Sequence, residues 1–150
     1  MSLVVVGIDQ SAGAKAALRF AFDEARLRHA TLRVVHVSQS GYTGVAGLTG
    51  SYPLLAADIK GLRDSAEASL EATLRETIPD SGDVQIETRV VEGRPAAVLV
   101  DESRGADLLV VGSRGHGGFS ELLLGSVSHQ CAQHAECPTL IVRAPAAASG

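Results

Sequence analysis

Apolar positions along this chain form two kinds of pattern, and the two alternate. Leu3-Val-Val-Val-Gly-Ile8 and Leu108-Leu-Val-Val111 are continuous apolar runs. Short continuous runs of aliphatic residues predict strands buried on both faces of a sheet. Leu32-Arg-Val-Val-His-Val37 and Thr139-Leu-Ile-Val142 predict two more strands. Val84, Ile86, Thr88 and Val90 alternate with polar residues. That period of two predicts a strand with one drier face, which suits the edge of a sheet. Between the strands the spacing changes to that of a helix. Ala14, Ala17, Leu18, Ala21, Phe22 and Ala25 fall on one stripe, with Asp9 and Ser11 ahead of them as start signals. A second helix is predicted from Leu54 to about Thr77, with Leu55, Ile59, Leu62, Ala66, Leu70 and Leu74 on its stripe, and Ile78-Pro-Asp-Ser-Gly-Asp83 breaks it. Pro95 suits the first turn of a short third helix through Ser103. A fourth is predicted from Val127 to about Ala135, and Pro138 then leads into the last strand.

Strands that alternate with helices predict an α/β fold, an open five-stranded parallel sheet with helices on both faces. Right-handed crossovers leave few arrangements. The two most apolar strands, the first and fourth, belong inside and the half-polar third at an edge, so the predicted order is 3-2-1-4-5. That order reverses between strands one and four. Open parallel sheets bind ligands at such a switch point, beyond the C-terminal strand ends. Asp9 ends the first strand and Gly112 ends the fourth.

Composition narrows the picture. A chain of 150 residues suits one domain with a real core. Aromatics are 3% and tryptophan is absent, so that core must be aliphatic. The net charge is −4 and the 13 basic residues are scattered, unlike the basic stripe of a nucleic-acid binder. The longest apolar run is too short to span a bilayer. Met-Ser runs directly into a strand with no signal-peptide pattern, which predicts a cytoplasmic protein away from membranes. Cys131 and Cys137 make no disulfide framework.

The candidate chemistry lies in Gly112-Ser-Arg-Gly115-His-Gly-Gly-Phe-Ser-Glu-Leu-Leu-Leu-Gly125-Ser126-Val127-Ser128. A strand that enters a glycine loop and then a helix start can hold phosphate. Glycine lets the backbone approach the ligand, and unpaired helix N–H groups point at the anion. The loop is not a P-loop, since neither Lys15 nor Lys60 follows a glycine. Nor does Gly7-Ile-Asp9 supply a dinucleotide fingerprint. The pattern is Gly112-x2-Gly115-x9-Gly125-Ser126.

That spaced motif resembles the nucleotide-binding signature of the universal stress protein family. The resemblance extends along residues 1–143 through Val-Val-Val-Gly-Ile-Asp9 with Ser11, Val34-Val-His-Val37, Glu92-Gly93-x-Pro95, Ala106-Asp107-Leu-Leu-Val-Val-Gly112 and Cys-Pro-Thr-Leu-Ile-Val142. It implies a Rossmann-like fold of the adenine nucleotide alpha hydrolase type and an ATP site, with Mg2+ accompanying the ATP. By that resemblance Asp9 contacts the ribose, Val37 lines the adenine and Val111 borders the nucleoside. Gly112 and Gly115 let the backbone wrap sugar and phosphates. Gly125, Ser126, Val127 and Ser128 supply N–H and hydroxyl donors to the phosphates. Arg114 and His116 lie in the loop and read equally as phosphate contacts or as solvent-facing residues. Some nucleotide-binding members carry proline where this chain has Gly7, a position expected to tolerate change. The family also implies a homodimer through Thr139–Val142, an apolar edge that needs covering. The tail, Ala144 to Gly150, is expected to be disordered.

Other features have plainer readings. His129-x-Cys131-x2-His134-x2-Cys137 has the residue types of a zinc site, but on a helix His129 points nearly opposite Cys131. Cys131 is expected in the core, and His36 is expected as a satisfied core histidine. Gly41, Gly44, Gly47 and Gly50 read as a loop over the end of the second strand. Fast phosphoryl transfer needs a charge clamp and a nucleophile positioner, and neither is evident. The expected function is ATP binding by a sensor or regulator of stress or energy state, with slow hydrolysis at most. The alternatives are an adenylating or nucleotide-transferring enzyme on the same architecture, and an interaction module without nucleotide.

Overall fold

The computed structural model describes residues 2–9, 12–38, 56–113 and 124–143. The strands are β1 (Leu3–Ile8), β2 (Thr31–Ser38), β3 (Ile86–Glu92), β4 (Leu108–Gly112) and β5 (Thr139–Val142). The helices are α1 (Ala12–Arg28), α2 (Ala56–Thr77), α3 (Pro95–Glu102) and α4 (Ser126–His134). The sheet order is β3-β2-β1-β4-β5 and every pairing is parallel, as the alternation of patterns predicts. Strand β3 begins two residues later than the sequence pattern suggests. Val84 instead donates its N–H to the Ser81 carbonyl in the preceding turn, while its side chain still enters the core.

The period of two divides the apolar residues between the faces of the sheet. Val4, Val6, Leu32, Val34, Leu108 and Val110 pack on one side against α1 and Leu70 of α2. Alanines supply most of the α1 stripe: Ala14, Ala17, Ala21 and Ala25 are buried with Leu18 and Phe22. Small side chains let this helix lie close to the strands. Val5, Val35, Leu109 and Val111 pack on the other side against Ala96 and Leu99 of α3 and Cys131 of α4. Apart from Phe22 and Cys131 the described core is aliphatic on both faces, as the scarcity of aromatics leads one to expect.

Strand β1 lies between β2 and β4, so the chain leaves it in one direction for β2 and returns on its other side as β4. The register sets Val6 opposite both Val34 and Val110. The C-terminal ends of β1, β2 and β4 therefore lie together, and α3 and α4 close one side of the crevice beyond them. The loop carrying Arg114, Gly115 and His116, the glycine-repeat loop and the tail from Ala144 lie outside the described residues.

Candidate functional site

A cavity opens at these strand ends. Its volume is ≈ 110 Å3, several times the roughly 10–15 Å3 that one water occupies. Of the residues singled out in the sequence, Asp9, Val37, Val111, Gly112, Val127 and Ser128 all line it. They come from β1, β2, β4 and α4, and only the parallel sheet brings them together. Gly125 and Ser126 sit at the start of α4 beside this wall.

Most of the remaining wall is apolar. Ile8, Val35, Pro95 and Leu99 line it and were not expected from the sequence to be site residues. Pro95 and Leu99 arrive on α3, whose approach depends on a turn at Gly93. Gly93 has φ +146°, a conformation that favours glycine, and it immediately precedes the helix-starting Arg94-Pro95. The Glu92-Gly93-x-Pro95 pattern was visible in the sequence, but its role in placing a cavity wall was not.

The N-terminus of α4 faces the polar part of the site. Among the described residues no side chain caps it, and Gly125 is its extended N-cap residue with φ −68° and ψ 166°. The first N–H groups of a helix have no intrahelical partner, and the helix dipole adds partial positive charge there. Two of the expected donors are already engaged. The Gly125 N–H donates to the Ser113 carbonyl at 2.7 Å, and the Ser128 hydroxyl bonds the Ser113 carbonyl at 2.9 Å and the Gly125 carbonyl at 3.0 Å. A hydroxyl has one proton, and at Ser128 it serves backbone carbonyls. These bonds hold the start of α4 on the end of β4. The Ser113 N–H in turn donates to the Val142 carbonyl, which ties in β5. The N–H groups of Ser126, Val127 and Ser128 precede the first intrahelical bond, which His129 donates to the Gly125 carbonyl, and the Ser126 hydroxyl accepts from Gln130.

Gly7 is closely packed. A Cβ built there would lie 2.5 Å from Leu99 Cδ1, so a side chain at this position must displace Leu99. The atoms met are the flexible end of a side chain that also borders the cavity, so any change at this position is coupled to Leu99.

Cys131 takes the core position expected of it, and His36 does not. Cys131 is fully buried, and burial pushes its thiol up to about 11. No group of three or more metal-ligand side chains occurs among the described residues. His36 is half-buried, with Nδ1 3.4 Å from the Ile8 carbonyl oxygen. No described helix is long and apolar enough to cross a membrane.

Residues 1–143 match the model of the universal stress protein family. The chain belongs to that family. It is 34% identical over 145 residues to the universal stress protein YxiE of Bacillus subtilis, covering 93% of this chain and 97% of the relative. It is 36% identical over 140 residues to a universal stress protein of Mycolicibacterium smegmatis, covering 93% of this chain and 45% of that protein. The chain therefore spans about half the length of the mycobacterial relatives it matches. Among solved structures, a universal stress protein in complex with cAMP superposes with a TM-score of 0.66 at 29% identity, covering 96% of this chain and 98% of that one. This universal stress protein thus shares both sequence family and sheet architecture with a nucleotide-bound neighbour.

Proposed function

We propose that this universal stress protein binds an adenine nucleotide, ATP with Mg2+, in the cavity at the ends of β1 and β4. The observation that carries the reading is the meeting of Asp9, an apolar slot and an uncapped helix N-terminus around one space. Each element suits one part of a nucleotide. The apolar walls at Val37 and Val111 suit a base, the Asp9 carboxylate accepts ribose hydroxyls, and the first N–H groups of α4 suit phosphate. The cAMP-bound neighbour supports the adenine class. Mg2+ usually keeps several waters and takes phosphate oxygens with one or two carboxylates, so it needs no dedicated cluster of protein ligands. Arg114, Gly115 and His116 complete the phosphate end in this reading.

The protein acts as a cytoplasmic sensor or regulator of stress or energy state. Its output is a change of shape or partner on nucleotide binding. Hydrolysis is slow at most, because the described lining supplies phosphate cradling but no second carboxylate and no lysine for the γ-phosphate. It works as a homodimer joined through β5.

Mass spectrometry of the protein purified under native conditions tests the reading directly by showing bound adenine nucleotide. In calorimetry, Asp9→Ala loses charge-assisted bonds of about 1.5–3 kcal/mol each, so ATP binds roughly ten- to a hundredfold more weakly. Equal ATP affinity in wild type and Asp9→Ala removes Asp9 from the site.

A further inference from the structure

Gly7 stands within an otherwise aliphatic strand, at a position where the neighbouring pattern calls for a branched side chain. Glycine inside a strand weakens it and often marks a close approach of another group. Backbone angle is not the reason here, since Gly7 is not among the described glycines with positive φ. The reason is space. Gly7 pairs with Val35 across β1 and β2 and shares the face of Val5, the face that α3 covers. A Cβ on Gly7 would meet Leu99 Cδ1 at 2.5 Å, Cδ2 at 2.9 Å and Cγ at 3.3 Å. The whole branched end of Leu99 thus sits where the side chain of residue 7 would be.

Leu99 is 3% exposed and packs among Val5, Val35 and Val111. It also lines the cavity, together with Gly7. Core packing surrounds the rest of the side chain, so the cavity is the space into which it can be displaced.

We infer that Leu99 is a specificity-determining residue, which sets the size of the aromatic base that the cavity admits, and that Gly7 is the seat that holds Leu99 back. The inference rests on the nucleotide reading above and deepens it. Truncating Leu99 opens the apolar end to a base carrying an added substituent. Filling residue 7 pushes Leu99 into the cavity and closes that end to the base itself. Filling residue 7 and truncating Leu99 together exchange one volume for another.

The test compares wild type, Leu99→Ala, Gly7→Ala and Gly7→Ala/Leu99→Ala by calorimetry. The probes are ATP and its benzyl-substituted analogues at base positions N6, C2 and C8. One buried methylene shifts discrimination by about tenfold or more, which sets the expected scale. Leu99→Ala gains at least about tenfold for one of the enlarged analogues. Gly7→Ala loses about tenfold or more for ATP, and the double variant regains most of that loss. Leu99→Val gives the same gain in smaller measure, and it keeps the test alive if Leu99→Ala does not fold. The inference is overturned if wild type binds ATP but neither Leu99 variant gains for any analogue. It is equally overturned if Gly7→Ala binds ATP like wild type, or if the two substitutions simply add. Wild type that binds no adenine nucleotide overturns the nucleotide reading itself, a result distinct from the others.

Discussion

At the scale of single residues, burial decides chemistry that residue type leaves open. Cys131 lies in a motif with zinc-ligand residue types, yet its thiol is enclosed by the apolar core between sheet and α4. Its pKa rises to about 11 because burial disfavours the thiolate. In the unfolded chain a cysteine ionises near about 8.5. Below that pH the thiol is protonated in both states and its contribution to stability is fully present. Above it the unfolded chain releases a proton that the native protein retains, so stability falls as pH rises through the folded value. The urea midpoint is therefore expected to fall between about pH 8.5 and about 11, and less steeply in Cys131→Ala. Parallel pH profiles of the two proteins would refute the assignment. Ser128 gives a similar lesson. Its residue type fits a phosphate donor, but the geometry gives its proton to backbone carbonyls.

At the scale of elements, the strand–loop–helix motif was legible because each part has a local signature. Leu108–Val111 is continuously apolar, and the small residues Gly125-Ser126 precede a helix. The N-cap geometry was not legible. Gly125 has φ −68°, which any residue can adopt, so glycine there is not required by backbone angle. Gly125→Val is accordingly expected to fold. It replaces an acceptable N-cap residue with a poor one, at a cost of about 0.5–2 kcal/mol. Its branched side chain stands beside the first N–H groups of α4, so ATP binding is expected to be lost. Urea denaturation and calorimetry on the same variant separate the two effects. Retention of wild-type ATP affinity would show that phosphate does not sit at this helix start.

At the scale of the molecule, β5 is the exposed consequence of the sheet order. Its residues Thr139, Leu140 and Ile141 are only half-buried. The carbonyls of Pro138 and Val142 accept from Leu109 of β4 and from Ser113 just beyond it. Strand alternation then turns the peptide groups of Thr139 and Ile141 to the outer edge. An open edge of this kind invites pairing, and a two-fold mate satisfies both copies at once. In the proposed dimer, Ile141→Pro removes an outward N–H without losing a bond to β4. Sedimentation is expected to show a dimer for wild type at micromolar concentration and a folded monomer for the variant. A monomeric wild type would defeat the dimer and leave the nucleotide proposal untouched.

The order of apolar runs and helical stripes determined the element sequence, the parallel sheet and the edge position of β3. Each depends on local periodicity and on chain rules that hold for any parallel sheet. The same patterns marked Asp9 and the Gly112–Ser128 segment as the ends that would meet. Tertiary structure alone decided the cavity wall that α3 brings, because Pro95 signals only a helix start and Leu99 only an apolar position, and both reach the site by packing. It also decided which donors at α4 are already bonded and why residue 7 is glycine. Those are matters of which atoms compete for one volume or one proton, and such competition exists only once distant segments are in contact.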